Sequence, residues 1–134
     1  ALPLPDTPQA AKNFAKAIAY RAEEGRCIAI YPEAHIWPFY TDIRPFKDLS
    51  FRYPIKYNCP TYCFTNTYQK RRWRKTPRIV TYVDGPFYPE EGAEGKMSLR
   101  NQVYAAMKKR AESNTVEMIT YIYRPEEEPA TEEK

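Results

Sequence analysis

The sequence predicts an α/β fold, a mixed sheet flanked by helices. Three observations carry that prediction. Apolar residues recur at helical spacing at Ala11, Phe14, Ile18 and Ala22, and again from Leu99 onward. A continuous apolar run, "CIAIY" at residues 27–31, follows the first helix after a tight turn, as a central strand covered on both faces would. Two further stretches, residues 59–68 and 78–85, are β-branched and aromatic.

Taken in order, Asp6 or Thr7 caps the first helix, with Pro8 in its first turn. Gly25 stands where a helix C-terminus takes a positive φ. Pro32 ends the apolar run, and the aromatic, proline-punctuated residues 37–45 read as a loop. Residues 46–58 hold a short helix limited by Pro54 and stopped by Asn58. The window "QKRRWRKTPR", residues 69–78, lies between the two β-rich stretches and reads as an exposed hairpin-like loop or a strand extension. Ser98 caps a second long helix, with Leu99, Val103, Ala106 and Arg110 on its inner side. Residues 115–123 read equally as a last strand or as an extension of that helix. No internal repeat interrupts this order.

Composition bounds the class. A chain of 134 residues, 43% hydrophobic and 28% charged, fits one globular domain with a core of its own. No run of about 18 apolar residues exists to span a bilayer as a helix. Three cysteines, Cys27, Cys59 and Cys63, sit in apolar runs, which predicts buried thiols in a reducing compartment. Cys59 and Cys63, four apart, are expected on one strand face as small core residues. The chain opens on "ALPLPD", which reads as text from within a domain and predicts a fragment. Residues 1–124 are accordingly expected to form the C-terminal part of a single domain. Residues 125–134 form an acidic tail, too poor in apolar groups to order itself.

Candidate site residues cluster after the apolar run. Glu33 falls at the predicted C-terminal edge of a strand, where open α/β sheets bind ligands; a carboxylate there also caps local N–H groups. His35, the sole histidine, is a candidate general base or metal ligand, and equally a hydrogen-bonded structural residue. One histidine with scattered acids does not make a metal site, so none is expected. Arg44 and Lys47 suit a phosphate, or are plain surface charge. Lys70, Arg71, Arg72, Trp73, Arg74 and Lys75 fit an anionic membrane, a nucleic acid, or a solvated loop.

The order of motifs resembles the 1-acylglycerol-3-phosphate acyltransferase family. That family's Phe-Pro-Glu-Gly-Thr-Arg motif is matched at Tyr31, Pro32, Glu33 and Ala34, with His35 and Ile36 in place of Thr and Arg. Its Pro-Phe-Lys is matched at Pro45, Phe46 and Lys47, and its Val-Pro strand at Cys59 and Pro60. Gly85 and Pro86 loosely meet a later turn, and "PLPDT" stands where the tail of an earlier motif falls. The resemblance covers most of residues 1–112.

The resemblance implies a fatty acyl transfer from acyl-CoA or acyl carrier protein to lysophosphatidic acid, in phospholipid biosynthesis, with no cofactor. The family's general base is the histidine of His-x-x-x-x-Asp; it takes the acceptor's hydroxyl proton as the oxygen attacks the thioester. That motif is absent here, because Tyr40 lies five residues after His35. The expected chain therefore carries part of the acceptor-binding surface (Glu33, Ala34, His35, Arg44, Lys47), no catalytic residue, and no activity alone. The expected location is cytoplasmic, peripheral to the inner face of the membrane, with self-association through an exposed sheet edge. The competing expectation is a non-catalytic module that binds anionic lipid or nucleic acid through residues 70–78.

Overall fold

A computed structural model describes residues 7–90, 92 and 94–122. Asp6, the "PLPDT" segment up to that residue, and the acidic tail lie outside the described residues. Within them the chain combines helices with a two-stranded antiparallel sheet, a mixed α and β composition.

Helix α1, Pro8–Glu23, starts as its sequence dictates. Thr7 has extended backbone and its hydroxyl accepts the Ala10 N–H at 3.1 Å. The helix ends in a Schellman arrangement: Gly25 takes φ 66, its N–H reaches Ala22 O at 3.0 Å, and Arg26 N–H reaches Arg21 O at 2.9 Å. Ile18 is buried and Phe14 meets Tyr53 edge-on at 6.1 Å, while Ala11 remains exposed.

Residues 27–31 are not a central strand. They run without strand pairing, and Cys27, Ala29, Ile30 and Tyr31 are exposed. A strand needs ladder partners for its N–H and C=O groups, and the only sheet among the described residues lies elsewhere in the chain. The expected mixed sheet is therefore replaced by one hairpin, and the expected burial of Cys27 fails with it.

A 3-10 turn, Leu49–Phe51, leads into a short helix α2, Arg52–Lys56. Pro54 is tolerated because it lies in the first turn, where the missing N–H has no helical partner. Asn58 ends the helix in the left-handed region, φ 46, a conformation its short amide accommodates.

Strands β1, Thr61–Gln69, and β2, Arg78–Phe87, form the predicted hairpin. Phe64 opposes Val83 and Tyr68 opposes Ile79. The ladder slips between Thr61 and Cys63, opposite Gly85 and Pro86. Gly85 has φ 129, and a Cβ there would stand 2.8 Å from Thr61 O, so the slip needs glycine. Cys63 is buried on the inner face, whereas Cys59 precedes the strand and its thiol donates to Tyr57 O. Burial pushes the Cys63 thiol pKa up.

Helix α3, Gly95–Ala111, begins three residues before the expected cap. Ser98 lies inside the helix, and its hydroxyl donates to Glu90 at 2.7 Å. Gly95 abuts the Glu90 carbonyl, where a Cβ would overlap it. The inner stripe is Leu99, Val103, Met107 and Ala111, at a strict spacing of four. Ala106 packs beside this stripe, and Arg110 turns to the flank. The stripe joins Ile43, Phe46, Phe51 and Cys63 in one core. Residues 115–122 are neither strand nor helix; Thr115 N–H makes one bond to Tyr68 O at 3.0 Å.

Two predictions follow from this packing. Thr65 is buried and its hydroxyl has no hydrogen-bond partner among the described residues. Thr65→Val is expected to raise unfolding free energy by about 1 kcal/mol in urea titration, because it removes an unmatched donor at constant shape. Arg110 grips Asp84 through contacts of 2.7–3.1 Å, and this bond holds the Asp84 pKa below 3.8. A depressed carboxyl pKa stabilises the fold above the unfolded value and ceases to do so as pH falls through the folded value. Arg110→Gln is thus less stable than the parent at neutral pH, and the two converge in acid unfolding as pH falls through the depressed Asp84 pKa.

Candidate functional site

The segment from Tyr31 to Lys47 is a loop laid along α3 and built from turns. Ala34 N–H reaches Tyr31 O at 3.2 Å, closing a turn with Pro32 as its first central residue. Tyr40 N–H reaches Trp37 O at 3.2 Å, closing a second turn with Pro38 and Phe39, and Phe39 takes φ 58. Ala34 also lies in the left-handed region, φ 63. For a residue with a Cβ that conformation costs roughly 1–2 kcal/mol.

Glu33 and Arg44 are brought together and close the loop on itself. The Glu33 carboxylate accepts the Arg44 backbone N–H at 3.1 Å. The Arg44 guanidinium donates to Glu33 O at 2.8 Å, and its Nε stands 3.9 Å from the carboxylate. The guanidinium also lies over the Trp37 ring at 4.3 Å. Trp37 in turn stacks on Tyr121 at 4.8 Å and meets Tyr40 edge-on at 5.2 Å. Tyr121 completes the cluster by donating its hydroxyl hydrogen to Pro38 O at 2.7 Å.

The loop is fixed to α3 and to the residues just after it by further contacts. Lys108 binds Asp42 at 2.6 and 2.8 Å. Burial opposes ionisation of Asp42, but the Lys108 bond and the Ile43 N–H outweigh it, and the carboxyl pKa falls. Tyr104 donates to Ile43 O at 3.4 Å, and Ile43 and Phe46 enter the core. Asn114 donates to Thr41 O at 2.8 Å while its carbonyl accepts the Tyr68 N–H of β1 at 2.7 Å.

The remaining predicted residues face outward. His35 is exposed, and its backbone N–H bonds Glu33 O at 2.8 Å. Lys47 is exposed and has no ion pair among the described residues, although its neighbour Phe46 is buried against Phe51 and Tyr104. The loop thus presents one imidazole and one ammonium to solvent, while Glu33 and Arg44 serve as its internal strut. No cluster of three or more His, Cys, Asp or Glu arranged to hold a metal occurs among the described residues.

The basic window forms the tip of the β1–β2 hairpin. Lys70, Arg71, Arg72, Trp73, Arg74 and Lys75, with Pro77 and Val116, line an open depression of about 520 Å³. Trp73 is 84% exposed and carries the Arg72 guanidinium over its ring at 5.0 Å. Thr115 steadies the base of the tip by accepting the Lys70 N–H at 2.8 Å. Among the described residues no helix is long and apolar enough to cross a membrane.

Sequence reasoning missed Trp37, Tyr121, Asp42, Lys108 and Asn114 as parts of this arrangement. Asp42, Lys108, Asn114 and Tyr121 reach partners 46 to 83 residues away, so no local spacing signals them, while Trp37 joins its neighbours Tyr40 and Arg44 to the distant Tyr121. No family model, curated protein or solved structure matches the chain.

The left-handed Ala34 yields a direct test of the loop. Ala34→Gly is expected to stabilise the protein by about 1 kcal/mol in denaturant unfolding, since glycine adopts this conformation without a Cβ clash.

Proposed function

We propose that the chain is part of a glycerolipid acyltransferase domain, and that residues 31–47 form the wall that receives lysophosphatidic acid. The observation that carries this reading is the conformation of Ala34. The acyltransferase motif resembled by Tyr31-Pro32-Glu33-Ala34 has glycine at its fourth position, and Ala34 holds φ 63, which glycine favours. A residue that strains to keep a glycine conformation supports a common turn, beyond a shared Pro-Glu pair. Phe46 buried and Lys47 exposed also suit a Pro-Phe-Lys whose aromatic anchors a cation.

In this reading the roles divide. Glu33 and Arg44 hold the loop closed, each engaged by the other's backbone. Lys47 and His35 supply the donors that meet the acceptor's phosphate. The acceptor hydroxyl is deprotonated by the histidine of a His-x-x-x-x-Asp pair, which these 134 residues do not contain. The reading therefore places the base on another segment of polypeptide, and makes the acyl thioester and an adjoining membrane partners of the whole domain.

Three measurements test it. The coding sequence upstream of Ala1 is expected to encode an apolar helix followed by His-x-x-x-x-Asp, and an intact gene without that motif overturns the proposal. The chain alone is expected to form no phosphatidic acid from lysophosphatidic acid and acyl-CoA. In the complete protein Lys47→Ala is expected to raise the acceptor KM about tenfold, with kcat held within a few fold, since a charge-assisted bond is worth roughly 1.5–3 kcal/mol.

A further inference from the structure

The tip of the hairpin is not absorbed by the acceptor wall. Residues 49–83 contain eight of the chain's 21 Lys and Arg and none of its 17 Asp and Glu. The remaining residues consequently carry net negative charge, although the whole is +4. Five of the eight cations crowd into Lys70 to Lys75 around one indole. Among the described residues none of these five forms an ion pair, whereas Arg21, Arg44, Lys96, Lys108 and Arg110 all do. Such a concentration of like charge is unfavourable within the protein and gains its compensation outside it.

We propose that this hairpin tip docks the protein on an anionic bilayer surface, with the cations among the lipid phosphates and Trp73 at headgroup level. The inference stands apart from the acyltransferase reading and needs no acyl chemistry.

Geometry favours a bilayer over a nucleic acid. A single-stranded nucleic acid is bound along a groove with aromatics spaced to stack successive bases. Here the cations end a two-stranded projection and surround a lone exposed indole. Beside the tip, Ile79 is exposed on the outer face of the hairpin; the polar pair Asn66 and Thr81 comes next along that face, and the exposed Phe64 and Val83 lie beyond it. An indole flanked by cations, with an exposed isoleucine beside it, suits the graded polarity of a membrane interface.

The experiment is co-sedimentation of the protein with vesicles of phosphatidylcholine, with and without phosphatidylglycerol. Binding is expected only to the anionic vesicles and is expected to weaken as ionic strength rises. The variant R71Q/R72Q/R74Q/K75Q is expected to lose several hundredfold in partitioning, at roughly fivefold per cation. All four residues are exposed, so an unchanged thermal melting curve is expected to confirm folding. Vesicles are expected to blue-shift tryptophan emission in the parent and in Trp37→Phe, but not in Trp73→Phe. Retention of binding by the quadruple variant, equal binding to neutral vesicles, or tighter binding of a single-stranded oligonucleotide than of anionic vesicles overturns the proposal.

Discussion

The burial of one helical stripe against the inner face of one hairpin is the constraint on which this structure depends. Two strands alone are marginally stable in water, because a hairpin has no second layer to cover its apolar face. Helix α3 supplies that layer through Leu99, Val103, Met107 and Ala111, with Leu99 fully excluded from solvent. On the strand side the buried positions are Cys63, Thr65 and Thr67, every second residue of β1. Two threonines there make the surface less apolar than a typical core strand. Thr67 satisfies its hydroxyl by donating to Val80 O at 3.2 Å, so the polar atom is absorbed into the sheet.

That same helix positions the candidate site. Residues on its outer flanks reach the loop and the second strand at once: Lys108 takes Asp42, Tyr104 takes Ile43 O, and Arg110 takes Asp84 beneath the Tyr82 ring at 4.6 Å. Just beyond its end, Asn114 ties the loop at Thr41 to the edge of β1 at Tyr68. The loop therefore inherits its rigidity from α3. Its turns alone would not hold it, since they rest on a left-handed alanine and a left-handed phenylalanine.

The legible parts of the fold were those written in local chemistry. Thr7, Pro8 and Gly25 mark the limits of α1, Asn58 marks the end of α2, and the β-rich stretches on either side of the basic window mark the hairpin. The apolar run at residues 27–31 misleads because five apolar residues are equally a central strand and an unpaired segment; only a partner strand distinguishes them. The start of α3 misleads for a different reason. Ser98 has the chemistry of a cap, but Glu90 engages it from outside the helix, and the chain enters the helix at Gly95. Of the candidate site, Glu33, Arg44 and Lys47 stood out by charge near proline, but the closure of Glu33 on Arg44 was not legible there. Trp37, Asn114 and Tyr121 were not legible either, because their roles arise from contacts between segments distant in sequence.

The division of labour within the loop also explains why charge alone is a poor guide to binding here. Glu33 and Arg44 look like the most chemically pointed residues of the segment, and each is largely occupied by the other's backbone. A guanidinium that stacks on Trp37 and donates to a carbonyl has lost much of its freedom to follow a ligand. Lys47 and the hairpin-tip cations form no ion pair among the described residues, although the Arg72 guanidinium lies over the Trp73 ring. Their electrostatic attraction for an anion is therefore not already offset inside the fold. The loop's paired charges set shape, and the unpaired ones, at two separate places on the surface, are available for recognition.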